Sequence, residues 1–274
     1  MKEVASIIIN RNLPEVTDKL YEHLIRYDGD ITDVYVIESG SDEDKLSQYC
    51  TWWANWDESV SQGLRTPRGF NFALSKLWEE HKFSRYNYFF LMPNDAEFKH
   101  ESVVTKLVEE MNDHPRVGIL APCSSAWGEY KLLGHGSTKY FWHIGPGPWF
   151  LRRQYIEDIM ELENPNYMNF LYDGTNFRGY ESDIELIVKG YANDWASAIT
   201  TKVISEENEE HLRKKADLIK TDFYEDNLVK YFEEGKKWMR LKYGFNNRWS
   251  MQMYSKYFYE KFFELFPEYK EHRI

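Results

Sequence analysis

The chain has 274 residues and a mass of 33.0 kDa, enough to bury the core of one large domain with a smaller appendage. Its 45 acidic and 34 basic residues give a formal net charge of -11 and a pI near 5.3. That balance argues against a nucleic-acid or anionic-membrane surface over the chain as a whole, and it leaves room for a local basic pocket that takes a small phosphorylated ligand.

Cysteine usage and hydropathy point to a reducing compartment. Cys50 and Cys123 are too few for a disulfide framework and show no metal-ligand spacing. The opening run MKEVASIIINRN is too short for the core of a signal peptide, and no stretch approaches the roughly 20 apolar residues that span a bilayer. The sequence therefore predicts a soluble cytoplasmic protein without a transmembrane segment.

Apolar runs of strand length alternate with helical periods through the first 120 residues, which is typical of a mostly parallel α/β sheet flanked by helices. Strands are predicted at 6–9, 34–37, 88–92 and 117–120. Helices are predicted after Pro14, over 69–80 and over 103–111, because apolar residues recur there on one face. The fold class is therefore predicted to be α/β.

The second half of the chain is less regular. Residues 121–150 are rich in Gly, Pro, Ser and aromatic residues, and such long irregular segments often carry function. Helices are expected from about 152 to 161 and again up to Gly190.

Beyond about residue 205, charged and aromatic residues predominate, and two helical stripes are seen at 228–235 and 251–265. We predict a main domain at 1–205 and a C-terminal helical extension at 206–274 that packs on it. The aromatic stripes are more typical of a core, or of a contact between copies of the chain, than of a lipid-binding surface. A homo-oligomer through these helices is thus one expectation.

Polar clusters follow three of the predicted strands, at the edge where ligands bind to open α/β sheets. The clusters are Asn10-Arg11-Asn12, Glu38-Ser39-Gly40-Ser41-Asp42 and Asn94-Asp95-Ala96-Glu97. An acid followed by small residues can accept hydrogen bonds from a base or ribose while a ligand approaches the backbone. The three clusters should face one crevice.

Charged residues near this crevice suit a diphosphate and its counter-ion. Asp95 offers a hard oxygen ligand of the kind that holds Mg²⁺ or Mn²⁺. Arg11, and Arg65 or Arg68 before the 69–80 helix, can contact phosphate. There is no P-loop and no G-x-G-x-x-G after the first strand, which argues against a P-loop NTPase and an ordinary dinucleotide dehydrogenase.

Six segments, taken in chain order, resemble the family 2 glycosyltransferases with the GT-A (Rossmann-like) fold. They are ASIIINRN, DVYVIESGSDED, RGFNFALSKL, FFLMPNDAEF, GPGPWFLRRQYIEDI and SDIELIVKGY, and together they span roughly residues 4 to 200. The fourth resembles the metal-binding D-x-D motif, the fifth an acceptor-side segment, and the sixth the segment that carries the general base. The order of the segments is more specific than any one of them.

The resemblance implies transfer of a sugar, with inversion, from a nucleotide-diphosphate donor to a hydroxyl of a glycan or other acceptor, assisted by Mn²⁺ or Mg²⁺. It implies Asp183 as the general base and Asp95 as the metal ligand. The implied donor site comprises Asn10, Asn12, Glu38, Ser39, Gly40, Arg68, Asn71, Asn94 and Asp95. The implied acceptor side comprises Trp149, Arg153 and Glu181.

The sequence departs from the family pattern at two places. Pro93 stands where the first acid or amide of D-x-D is usual, and Ser182 replaces the Glu of the family's E-D pair. No clear equivalent exists for the histidine that often completes the metal site; Glu206 lies near the expected place, and His211 is a weaker candidate.

Alternatives remain open for the function and for single residues. A sugar-phosphate nucleotidylyltransferase would normally have a Gly-rich loop after the first strand, which Asn10-Arg11-Asn12 is not. A nucleotide- or glycan-binding module derived from a transferase is a non-enzymatic alternative. Asp183 and Glu185 both open a helix, where acids are favoured by the dipole alone. Trp142 and Trp149 suit sugar stacking and packing equally well.

Overall fold

One mixed β-sheet forms the centre of the computed structural model, which describes residues 2–145, 147–160, 163–207 and 224–274. Its strands are β1 (Val4–Asn10), β2 (Thr32–Ser39), β3 (Cys50–Ala54), β4 (Tyr88–Pro93), β5 (Ala96–Phe98), β6 (Val117–Cys123), β7 (Thr138–Tyr140), β8 (Trp149–Arg152) and β9 (Ala196–Glu207). The strand order is β3-β2-β1-β4-β8-β6-β9-β5, and β7 pairs with β9.

The half of the sheet formed by β3, β2, β1 and β4 is parallel. Strands β1 and β4 are buried along almost their whole length, as expected for strands that are covered on both faces. On the other half, β8 runs antiparallel to both β4 and β6, while β6 and β9 are parallel. The predicted α/β class with a flanked central sheet is confirmed.

Helices cover both faces of the sheet. They are α1 (Pro14–Asp28), α2 (Asp57–Gln62), α3 (Arg65–Glu79), α4 (Val103–Asp113), α5 (Gly128–Leu133), α6 (Arg153–Ile159), α7 (Ser182–Ala192), α8 (Tyr224–Tyr243) and α9 (Arg248–Leu265). In α3 the apolar stripe Phe70, Ala73, Leu74 and Leu77 is buried as its period predicts. None of the helices in the described part of the chain has both the length and the hydropathy that a membrane crossing needs.

The sequence-based prediction was wrong at residues 149–151 and at the end of α7. Residues 149–152 form strand β8, at the end of the segment that was expected to be irregular. Helix α6 (Arg153–Ile159) lies inside the helix expected from about 152 to 161. A strand of four residues is too short to show its period in the sequence. Helix α7 continues past Gly190 to Ala192. A Cβ on Gly190 would lie 2.9 Å from the Tyr155 ring, so this glycine allows close packing and does not end the helix.

The two C-terminal helices share the core of the sheet. Tyr259, Phe262 and Phe263 of α9 are buried, and their rings pack against Tyr140 of β7 and Tyr191 of α7. The aromatic face of α9 therefore packs on β7 and α7. Strand β9 runs to Glu207, across the predicted boundary at 205, and the division of the chain into two domains stays a prediction.

Candidate active site

Three polar side chains meet where β1, β2 and β4 end. These strands are neighbours in the sheet, and Asn10 lies directly opposite Glu38 in the register of β1 and β2. The Asn10 Nδ2 donates to both carboxylate oxygens of Glu38, at 3.1 and 2.9 Å. The Asn94 Nδ2 donates to Asn10 Oδ1 at 3.0 Å. The polar clusters after the three strands thus converge at one edge of the sheet.

Glu38 lies fully inside the protein, with an exposed fraction of 0%. Besides Asn10, its carboxylate accepts hydrogen bonds from Ser41 Oγ at 2.5 Å and from the Ser47 backbone N–H at 2.8 Å. Burial raises the pKa of Glu38, and these hydrogen bonds oppose the rise. Glu38 therefore anchors the 41–47 loop at the end of β2, and its direct contact with a nucleoside stays a prediction.

The turn at Gly40 forms one wall of the crevice. Gly40 has a φ of +73°, and a Cβ there would lie 1.7 Å from the Ser59 carbonyl oxygen, so this position requires glycine. The Arg11 guanidinium donates to the Ser39 and Ser59 carbonyls at 2.8 and 2.9 Å. The Ser39 Oγ accepts from the Leu64 backbone N–H at 2.7 Å. Arg11 and Ser39 thus connect β2 to the segments that lead into α3.

Asn12 forms the opposite wall in a left-handed turn, with a φ of +56°. Its backbone N–H donates to Ser41 Oγ at 3.1 Å, and its Oδ1 accepts from the Asp42 N–H at 2.8 Å. The loops after β1 and β2 are therefore bonded to each other directly. Any ligand at these strand tips meets a preformed polar frame.

Asp95 follows β4 in the turn that leads to β5, and its exposed fraction is 7%. Asp95 directly follows Asn94 of the Asn10–Glu38–Asn94 network, and it is the first carboxylate after the end of β4. Its oxygens are hard ligands of the type that Mn²⁺ and Mg²⁺ prefer. The assignment of Asp95 to a D-x-D-like motif rests on the sequence resemblance and stays a prediction.

Glu206, the sequence candidate for a second metal ligand, is engaged by the protein. It lies opposite Glu97 in the β5–β9 register, and it accepts hydrogen bonds from Ser124, Ser125 and Lys99. Burial opposes ionisation of Glu206, but these hydrogen bonds lower its pKa to about 2. His211 lies outside the described residues.

The binding of a divalent cation at Asp95 stays a prediction. Within residues 2–145, 147–160, 163–207 and 224–274, no group of three or more His, Cys, Asp or Glu side chains is arranged to hold a metal ion. Asp95 can therefore supply one hard oxygen, and the donor's phosphate oxygens would supply others. These residues do not form a cage that would bind a metal ion without the nucleotide.

The first turn of α3 connects the strand tips to the segment before α7. Arg68 donates to the Gly174 carbonyl at 2.8 Å, pairs with Glu58 at 2.8 Å, and lies 4.6 Å from the centre of the Phe177 ring. A Cβ on Gly179, whose φ is +79°, would lie 2.8 Å from Pro67. The turn before α7 is thus packed directly against the start of α3.

Asn71, one turn further along α3, is fully buried. Its Oδ1 accepts from the backbone N–H groups of Leu171 and Tyr172 at 2.8 and 2.9 Å, and its Nδ2 donates to the Tyr172 carbonyl at 2.8 Å. Asn71 therefore holds the 171–172 backbone in place with its whole amide. Its predicted contact with the donor, like that of Arg68, stays a prediction.

Two carboxylates stand at the start of α7. Glu181 has a left-handed backbone, with φ +60°, an exposed fraction of 7%, and an Oε2 atom without a hydrogen-bond partner. The pKa of Glu181 is raised to about 7: burial is the largest cause, the charge of Asp183 adds to it, and Arg248 and Gln252 oppose the rise. Burial likewise raises the pKa of Asp183 to about 6, against hydrogen bonds from backbone N–H groups.

Glu185, the other acid of this helix, is directed towards the C-terminal helices. Its carboxylate accepts a hydrogen bond from the Tyr243 hydroxyl and pairs with Lys242 at 2.8 Å. Lys242 also pairs with Asp173, which in addition accepts from Trp238 at 2.9 Å. Glu185 therefore belongs to a buried ion-pair network, while Asp183 and Glu181 do not share it.

The residues expected on the acceptor side are spread over three elements. Trp149 opens β8 with an exposed fraction of 3%, and its Nε1 donates to the Gly145 carbonyl at 3.3 Å. Arg153 begins α6 and pairs with Glu157 at 2.8 Å. In this arrangement Trp149 packs in the core, and the acceptor roles of Trp149, Arg153 and Glu181 stay predictions.

Sequence reasoning missed two residues beside the carboxylates, Arg248 and Gln252. Both lie on α9 and lower the pKa of Glu181, Arg248 through its charge and Gln252 through a hydrogen bond. Nothing local marks either residue, since more than sixty positions separate them from Glu181. Ser41, by contrast, lies inside the cluster Glu38–Asp42 that the sequence analysis had already named.

No protein-family model and no curated protein matches this sequence. Solved structures do match. The chain is similar to GalNAc-T7, crystallised with UDP, GalNAc and Mn²⁺, with a TM-score of 0.55 and 9% identity, over 96% of this chain and 56% of that one. It is similar to glucosyl-3-phosphoglycerate synthase from Mycobacterium tuberculosis, in complex with Mn²⁺, UDP and phosphoglyceric acid, with a TM-score of 0.50 and 11% identity, over 88% and 77%.

A third similar structure is S. aureus TarS 1-349 in complex with UDP-GlcNAc, with a TM-score of 0.50 and 10% identity, over 86% of this chain and 65% of that one. All three are GT-A glycosyltransferases, and the chain has the GT-A fold. The GT-A fold expected from the sequence is thereby confirmed, while membership of family 2 stays a prediction. The chain spans little more than half the length of GalNAc-T7.

Proposed function

We propose that this chain is a metal-assisted glycosyltransferase, which moves a sugar with inversion from a nucleotide diphosphate to the hydroxyl of a glycan or another acceptor. One observation carries the proposal: the buried Glu181 and the partly exposed Asp183 stand at the start of α7, and the turn before them packs on the same end of α3 that β2 contacts through Ser39. A GT-A fold with acids in this position suits proton removal from an acceptor beside a bound donor.

Asp183 is the proposed general base. Inversion requires the acceptor hydroxyl to attack opposite the leaving diphosphate, and a carboxylate within hydrogen-bond reach must take the hydroxyl proton. With a pKa of about 6, Asp183 is largely ionised at neutral pH, and it is a stronger base than an ordinary aspartate.

The donor is proposed to lie across the tips of β1, β2 and β4. Asn10, Asn12, Glu38 and Asn94 form a hydrogen-bonded frame there, and Gly40 lets the end of β2 pack closely against the Ser59 carbonyl. Asp95 would hold Mn²⁺ or Mg²⁺ there, and such a cation, when bound, offsets the charge on the leaving diphosphate. Donor specificity for one base or sugar is not part of this proposal.

The cysteines support a cytoplasmic setting. Cys50 and Cys123 are both free thiols, and burial raises their pKa values to about 11 and about 12. Thiols with such values carry little thiolate at neutral pH and react slowly. A chain whose cysteines are all free is consistent with a reducing compartment.

A second candidate function is a nucleotide- or glycan-binding module derived from a transferase. Two observations favour it: Pro93 stands at the strand end that usually carries the first D-x-D acid, and both Glu38 oxygens are already bonded within the protein. Such a module would bind a nucleotide sugar without breaking it.

The test is a panel of UDP-, GDP-, CDP- and dTDP-sugars with the purified chain, each with Mn²⁺ and with EDTA. A bound donor raises the melting temperature because it binds the folded state only. We expect one class of donor to raise it, and slow release of free sugar from that donor without acceptor. Binding without release points to the binding module, and no binding by any donor contradicts the proposal.

A further inference from the structure

The chain is acidic overall, but its C-terminal helices are locally basic. Residues 235–259 contain six basic residues and no Asp or Glu: Lys236, Lys237, Arg240, Lys242, Arg248 and Lys256. Glu233, which is also exposed, lies one helical turn from Lys236 and Lys237 and offsets part of this charge. Interactions between exposed charges are screened beyond about 8–10 Å at physiological salt, so the remaining local excess acts on a nearby surface almost independently of acids farther away.

Large apolar side chains are exposed in the same segment. The exposed fractions are 77% for Leu241, 67% for Trp249, 53% for Tyr254 and 55% for Tyr257. On α9, Trp249, Met253 and Tyr257 recur every four residues, so they form one outward stripe. The opposite face of α9 is already used, since Met251, Ser255 and Tyr259 are buried. The stripe is thus a surface additional to the core.

Three of the basic side chains have no acidic partner among the described residues. Lys242 is neutralised by Asp173 and Glu185, and Lys256 by Glu260. By contrast, Lys236, Lys237 and Arg240 are exposed, and no carboxylate in the described part of the chain forms an ion pair with them. We call the surface formed by Lys236, Lys237, Arg240, Leu241, Trp249 and Met253 the tip face.

We propose that the tip face docks the protein on an anionic lipid surface. Basic side chains are attracted to anionic headgroups by about 1 kcal/mol each, and exposed Trp and Leu side chains insert at the boundary of the acyl chains. On α8 the two features lie side by side, since Leu241 is one turn beyond Lys237 and directly follows Arg240. Trp249 and Met253 add exposed apolar area on α9. A basic, aromatic face of this kind lies in the plane of the interface and does not span the bilayer.

A second copy of the chain is a poorer occupant of this face. Most homodimer contacts are isologous and place the same patch of both copies together. Lys236, Lys237 and Arg240 would then face their own counterparts, and like charges repel. Nucleic acid is also a poorer occupant, because two of the three apolar side chains of the tip face, Leu241 and Met253, offer no ring for base stacking.

The tip face adjoins the candidate active site. Arg248, the first residue of α9, acts electrostatically on Glu181 and forms a hydrogen bond with Tyr180, and Trp249 follows it directly. If the proposed function holds, an acceptor carried by or lying close to the lipid surface would reach Glu181 and Asp183 from this side. The docking itself does not depend on that function.

The test is co-sedimentation of the purified full chain with vesicles of phosphatidylcholine alone and of phosphatidylcholine mixed with phosphatidylglycerol. We expect binding to the mixed vesicles only, and its loss as salt rises. The triple variant K236E/K237E/R240E should lower partitioning by ~100-fold or more, given about 1 kcal/mol per basic residue. Leu241→Ser with Trp249→Ser should weaken binding at every salt concentration.

A matched control changes the charge equally elsewhere. Lys19, Arg85 and Lys131 are exposed on other parts of the surface, and K19E/R85E/K131E makes the same total change in charge. This control should bind like the wild type, with melting temperatures confirming that every variant folds. No sedimentation with mixed vesicles, or equal loss in the control, overturns the proposal. The proposal is also overturned if the wild type forms an oligomer, or a complex with a single-stranded oligonucleotide, that only the tip-face variant fails to form.

Discussion

Asn10 donates its single side-chain amide to both carboxylate oxygens of Glu38, at 3.1 and 2.9 Å, across the ends of two paired strands. Glu38 accepts two further hydrogen bonds, from Ser41 and Ser47. Because both oxygens of this fully buried carboxylate accept hydrogen bonds, an N–H group in place of either oxygen would face another donor and have no acceptor. The order of the crevice floor therefore depends on Glu38 being an acceptor only.

We predict that Glu38→Gln destabilises the protein by about 1–3 kcal/mol, because its amide would face the Asn10 amide and leave a buried donor without an acceptor. Binding of a nucleoside diphosphate should weaken with it, as the 41–47 loop loses its anchor. Urea denaturation and titration calorimetry measure both effects. Glu97→Gln, on an exposed side chain of β5, is the control and should change neither.

Asp183→Asn should leave donor binding nearly intact and reduce transfer by about 10²–10⁴-fold, the usual effect of losing a positioned base. The helix offers an internal control in Glu185→Gln, since Glu185 faces Lys242 and Tyr243. Turnover per folded molecule separates the two. If Asp183→Asn keeps more than about a tenth of the wild-type turnover, the base must be sought at Glu181.

Asp95→Asn should abolish the gain in nucleotide-sugar affinity that Mn²⁺ produces, because an amide oxygen is a weaker ligand for a hard cation than a carboxylate. Affinity without metal should change little. Titration calorimetry with Mn²⁺ and with EDTA gives both numbers. A wild-type protein that binds its donor equally well in EDTA would show that the site works without a metal.

Glu181→Gln should stabilise the protein at pH 8 by about 1–3 kcal/mol, since it removes a buried charge. The pKa of Glu181 is raised from 4.5 to about 7, so between those values the folded state binds more protons than the unfolded state. The free energy of unfolding therefore falls as pH rises through that window, and the variant should show a smaller fall. Urea denaturation at pH 5 and pH 8 decides the sign.

Lys242→Met should destabilise the protein by about 1–3 kcal/mol at neutral pH, because Asp173 and Glu185 lose the cation that compensates their burial. The pKa of Asp173 is lowered: burial opposes this, and hydrogen bonds from Lys242, Thr175 and Trp238 outweigh it. Its contribution is therefore present above the ordinary value of 3.8 and is lost in acid. Denaturation of Lys237→Met, at an exposed lysine, is the comparison.

Three strands of the parallel half, β1, β2 and β4, were predictable because they are largely buried. Strands β1, β2 and β4 appear in sequence as apolar runs that end in polar residues, and α3 shows a full helical period. Strand β3 was missed because its residues are half-exposed and include Thr51 and two Trp residues. Strand β5 has three residues, too few for any period.

The candidate site was predictable only where it is local. Asn10, Glu38 and Asn94 each end a strand, so topology alone brings them together. The environment of Glu181 depends on Arg248, and that of Glu185 on Lys242, and no local pattern connects residues so far apart in the chain. Asn71 matched a family segment, but only the structure shows that its amide holds the 171–172 backbone.

The packing of α9 on Tyr140 and Tyr191 has a consequence for biosynthesis. Residues 248–265 leave the ribosome after every strand described here, so the aromatic face that Tyr259, Phe262 and Phe263 will cover stays bare until then. Contacts this far apart in sequence close late, after the nearer pairings of the sheet. A nascent chain paused before α9 would therefore expose a cluster of rings that chaperones recognise.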